Sequence, residues 1–134
     1  MRKLFVILAV LSLNGCAVWD AFFMTGFDPN EYRVITEIRT DANAYKAQCS
    51  DSAKSKLNAM AISHKTMLFQ YYEEQIPKNK NGYNASVELN KIAQGLKDRY
   101  NLGAAVPDVF CKLKFEGIEH SADLMAHVLG KRPR

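Results

Sequence analysis

Ile35, Ile38, Ala42, Tyr45 and Cys49 follow one another at spacings of 3, 4, 3 and 4 residues, and this rhythm constrains the fold more than any other feature of the chain. An α-helix turns once in about 3.6 residues, so the five side chains form a narrow seam on one helical face, whereas a strand would scatter them over two faces. Asp28 stands ahead of the seam as a cap, Pro29 falls in the first turn and Glu31 follows three residues after the cap, an opening like a capping box. After the turn "SDS" a second helix is expected to carry Leu57, Met60, His64, Met67, Leu68 and Tyr71 inward. It must stop near Ile76, because Pro77 has no N–H to continue it and disfavours helical backbone in the residue before.

The tract "PKNKNGYN" reads as a polar turn. A third helix is predicted from about Ala85 to Tyr100, with Val87, Leu89, Ile92, Ala93, Leu96 and Tyr100 inward and Gly95 as a weak point. "NLGAAVP" ends it. The last helix is predicted to start at Pro107 or Asp108 and to run to Gly130, a residue placed to cap it, although its opening "VFCKLKF" also alternates like a strand. Four helices joined by short turns predict an all-α fold, a small up-down-up-down four-helix bundle.

Ahead of the bundle, Met1-Arg2-Lys3 precedes an apolar run from Leu4 to Leu13 and then Asn14-Gly15-Cys16. Positive charge, a short apolar core and a small residue make an export signal. A membrane-spanning helix needs about 17 to 25 apolar residues, so this run is too short to span. Leu13-Asn14-Gly15-Cys16 resembles the bacterial lipobox, with Asn14 where Ala, Ser or Thr is usual. The resemblance implies cleavage before Cys16 and fatty acylation (palmitate) of that cysteine, and Ala17 after it implies the outer membrane. Two or more acyl chains anchor stably, since each buried methylene contributes about 0.8 kcal/mol. The expected organisation is a signal peptide over 1–15, a lipidated aromatic segment over 16–27 and a bundle over 28–134, with the mature chain on the periplasmic face.

Removing the signal leaves 16 basic residues against 14 acidic ones, an excess too small for a nucleic-acid binder. The remaining length suits one domain with its own core. With Cys16 acylated, Cys49 and Cys111 are the remaining thiols in an oxidising compartment, and such a pair points to a disulfide. In an up-down-up-down bundle the first helix ends where the fourth begins, which is where these two cysteines fall. No CxxC pair supports a redox or zinc motif.

Chemistry-bearing residues are sparse. No nucleophile elbow, phosphate-binding glycine loop or HExxH is present, and Glu73 and Glu74 point about 100 degrees apart on a helix, so no catalytic residue is assigned. His64, between Met60 and Met67, is read as structural, with haem ligation as the alternative. Glu116, His120, Asp123 and His127 stack on one stripe opposite Ile118, Ala122, Met125 and Leu129, which makes it a solvated face; no metal or cofactor is assigned. The terminal "KRPR" is read as a solvated tail complementing the helix C-terminus, with contact to anionic lipid as the alternative.

Trp19, Phe22 and Phe23 sit at i, i+3 and i+4 in "AVWDAFFMTGF". They either pack on the bundle or form an interaction surface beside the membrane. Helices of this kind, with "YKAQC" closing the first and "FCKLKF" opening the last, also resemble the type II secretion pilotins. That resemblance, one of topology and cysteine placement, implies a groove between helices that captures a helical segment of a secretin. The preferred expectation is a non-enzymatic protein-interaction lipoprotein with an envelope partner and no nucleic acid. The alternatives are a pilotin-like chaperone, a phage- or plasmid-borne envelope lipoprotein acting in lysis or superinfection exclusion, and, less favoured, a haem- or metal-binding bundle.

Overall fold

A computed structural model describes residues 25–134; the signal segment, Cys16, Trp19, Phe22 and Phe23 lie outside the described residues. Four helices follow in order: α1 Pro29–Lys46, α2 Ser52–Gln75, α3 Lys80–Asn101 and α4 Asp108–Gly130. Each helix packs against its chain neighbours and α4 closes against α1, which gives the up-down-up-down bundle, with α1–α4 and α2–α3 as the two extensive pairs. The opening of α4 is helical throughout, so its strand-like alternation is overridden by packing.

The first helix forms as its seam dictates. Asp28 Oδ1 accepts from the backbone N–H of Asn30 at 2.8 Å and of Glu31 at 3.3 Å, and Ile35, Ile38 and Ala42 are fully buried. The Glu31 side chain does not complete a capping box; it turns inward to Arg132. Helix α1 ends before Cys49, which sits in the following turn and is joined to Cys111 in the first turn of α4, with Cα atoms 5.8 Å apart. From that bridge the α1–α4 pair is pinned along its length. Tyr45 meets Phe115 edge-on at 5.8 Å, Lys46 pairs with Glu119 at 2.7 Å, and Arg39 pairs with Asp123 at 2.7 Å.

Helix α2 packs by the face opposite to the expected one. Leu57, Met60, His64, Leu68 and Tyr71 are exposed and Met67 is half-buried, while Ser55, Ala59, Ile62, Ser63, Thr66, Phe69 and Glu73 are buried. Small side chains on that face let α2 lie close to α3, and their hydroxyls are satisfied locally. Ser55 donates to carbonyls of Asp51 and Gln48, and Thr66 to Ser63 and to the Asn90 side chain. His64 is therefore outside the core, which removes the placement on which haem ligation in the bundle rested.

Two boundaries also differ. Helix α3 starts at Lys80, so the second half of the expected polar turn is helical. Gly130 is the last residue of α4, and the cap is Lys131 in right-handed backbone. A Cβ on Gly130 would lie 3.2 Å from the Tyr32 ring, so the glycine serves close approach of α1 to α4.

Candidate functional site

The disulfide marks one end of the bundle; the other end collects the start of α1, the end of α2, the start of α3 and the end of α4. At this second end Glu31, Glu73, Asn79 and Arg132 are buried together. Arg132 Nη1 donates to both Glu31 oxygens at 2.8 and 2.6 Å, and Nη2 donates to Asn79 Oδ1 at 2.8 Å. Asn79 Nδ2 in turn donates to Glu73 Oε2 at 2.7 Å. Asn79 stands at the N-cap of α3 yet makes no capping bond, because its amide is committed to this network.

Glu73 Oε1 is buried and stands outside those bonds. The Glu31 carboxyl is its neighbour in this buried space. Burial, then the hydrogen bond and charge of Glu73, push the Glu31 carboxyl up to about 8 against the pull of Arg132. Near neutral pH the Glu31 carboxyl therefore holds a proton. Gly82 makes room for the arrangement, since a Cβ there would collide with the Asn79 and Glu73 side chains. The tail is tied down beside it: Phe27 N donates to Pro133 O at 2.8 Å, and the Arg134 guanidinium lies 4.8 Å from the Phe27 ring centre. Within "KRPR", Lys131, Pro133 and Arg134 are exposed as the solvated reading expects, while Arg132 departs from it as a buried ion-pair partner.

Beside this network, helices α3 and α4 part to form a cleft of about 480 Å³. Ala85, Leu124, Met125, Val128 and Leu129 give it apolar walls, and Asn79, Gly82 and Arg132 form its polar end. Thr25 lies at its mouth and donates from Oγ1 to the Lys78 carbonyl at 3.1 Å. Lys78 adopts left-handed backbone, φ 60°, to make the α2–α3 turn. Side-chain hydrogen bonds or ion pairs cross α1–α4, α1–α2 and α2–α3 along the helices, whereas α3 and α4 are tied at the cleft end by the hydrogen bond from Arg132 to Asn79. Elsewhere along this seam the helices meet by packing, as where Ile92 faces Gly117.

The α4 stripe of Glu116, His120, Asp123 and His127 faces solvent, with Ile118, Ala122, Met125 and Leu129 buried opposite. Asp123 is occupied by Arg39, and no three His, Cys, Asp or Glu residues come together as a metal cage among the described residues. Sequence reading missed Arg132, Asn79 and the cleft. The signals for the network were two buried-register glutamates, at positions 31 and 73, and a tail rich in cations. No protein family, no curated protein and no solved structure matches the chain.

Proposed function

We propose that the chain is an outer-membrane-anchored periplasmic lipoprotein that acts without catalysis, receiving an apolar helical segment of an envelope protein in the α3–α4 cleft. The observation that carries this reading is the cleft itself: apolar walls and one polar end, where Arg132 donates to Asn79. Leu124 is 55% exposed and Val128 59% exposed, so apolar surface is available there. Thr25, the first described residue, lines the cleft. No described helix is long and apolar enough to cross a membrane, which is compatible with attachment through Cys16 alone. A secretin segment is the second reading, favoured by the disulfide from the end of α1 to the start of α4.

Two substitutions test the two parts. Cys16→Ser should abolish incorporation of labelled palmitate and membrane fractionation; label that persists contradicts the anchor. Leu124→Asp with Val128→Asp should lower partner binding by roughly 30-fold or more, as loss of a buried apolar anchor does, with helical circular dichroism unchanged. Unchanged binding by that folded variant contradicts the cleft.

A further inference from the structure

The outer face of α2 is built for a helix and meets none. Ala53, Leu57, Met60, His64, Met67 and Tyr71 alternate at spacings of 4 and 3, a seven-residue repeat of the kind that packs helix on helix. Leu57 and Tyr71 remain 65% and 54% exposed, and Leu68 beside them 52%. Because α2 is packed on α3 and α1 by its opposite side, nothing in the described bundle covers this face.

We propose that a second copy of this chain covers it, the two α2 helices running antiparallel about a two-fold axis near His64. The five exposed side chains Leu57, Met60, His64, Leu68 and Tyr71, at spacings of 3, 4, 4 and 3, are symmetric about that residue. Position i then faces position 128 minus i, so Leu57 of each copy meets Tyr71 of the other and Met60 meets Leu68. Charge selects the direction. Lys56 and Glu74 are eighteen residues, or five helical turns, apart and therefore share one flank of the seam. Both are exposed and neither enters an ion pair among the described residues. Antiparallel docking brings Lys56 of each copy to within about 3 Å, along the axis, of Glu74 of the other. Parallel docking would instead bring Lys56 beside Lys54. A two-fold contact of this kind closes on itself, so it yields a dimer and not a filament. One helix face is small for a stable interface, so the association is weak in dilute solution and is best read at membrane concentration.

Cysteine cross-linking of the full-length chain in membranes tests this. Under mild oxidant His64→Cys should form a disulfide-linked dimer, and Glu88→Cys on the outer side of α3 should not. Leu57→Cys and Tyr71→Cys should cross-link when co-expressed in separate copies. Leu68→Lys, which exchanges one exposed side chain for another, should reduce the yield of the His64→Cys dimer at least tenfold with circular dichroism and melting temperature unchanged. Monomer only at position 64, adducts to a protein of another size, or a dimer that survives Leu68→Lys would each overturn the proposal, whether or not the α3–α4 cleft binds its partner.

Discussion

Glu31 and Glu73 place two carboxyls near one guanidinium in a buried space, and burial beside Glu73 makes the Glu31 carboxyl hold its proton. Folding raises the Glu31 carboxyl from an ordinary 4.5 to about 8. The folded state therefore binds the proton more tightly than the unfolded one. Its contribution to stability is fully present below the unfolded value and is lost as pH rises through about 8. Melting temperature should accordingly fall between pH 5 and pH 9 in thermal scans. Glu73→Gln should flatten that fall: the amide oxygen can still accept from Asn79, and the negative charge that helps to raise the Glu31 carboxyl is gone. A variant as pH-sensitive as the wild type would contradict the part Glu73 plays in raising Glu31. At the neighbouring position, Gly82→Ala forces a methyl into Asn79 and Glu73. It should cost about 1 to 3 kcal/mol in denaturant titration, although alanine is the better helix former.

Helices differ in how their faces were chosen, and Gly95 gives the contrast. It is exposed within α3 with no atom within 4 Å of a Cβ placed there, so Gly95→Ala should stabilise by up to about 1 kcal/mol in the same titration. That weak point was legible from sequence because an exposed helical glycine obeys propensity alone. The seam of α1 was legible too, since Ile35, Ile38 and Ala42 have no competing apolar stripe. In α2 Leu57, Met60, Met67, Leu68 and Tyr71 lie on one side, and Ile62 and Phe69 lie among Ser55, Ala59, Ser63 and Thr66 on the other. Hydrophobic periodicity finds the first side. Burial goes to the second because small residues allow close approach to α3 and local hydrogen bonds satisfy their hydroxyls. The start of α3 was hidden by Gly82, which looks like a turn residue in the sequence and is required by a side-chain network from three other segments. Arg132 was hidden for a related reason: its partner Glu31 lies 101 positions earlier, and no local pattern reports such a pair.

Across the whole molecule, α1 and α4 form a braced pair, joined at one end by the disulfide, at the other by Arg132, and between them by Lys46–Glu119 and Arg39–Asp123. The bridge spans 62 residues of sequence, and in chain-entropy terms closing such a loop stabilises by about 4 kcal/mol. Replacing Cys49 and Cys111 together by serine should therefore lower the melting temperature by roughly 15 °C. An unchanged melting temperature would remove the bridge from the account. With α1 braced to α4, the cleft lies between α3 and α4 at the end of the bundle away from the disulfide, where Arg132 donates to Asn79. The most direct measurement is site-specific photocross-linking in living cells, with the photoreactive residue placed at Val128 in the cleft or at Glu88 on the outer side of α3. The account predicts an adduct of defined size with an envelope protein from position 128, lost with Leu124→Asp, and none from position 88. Equal yields from the two positions, or an adduct indifferent to Leu124→Asp, would contradict it.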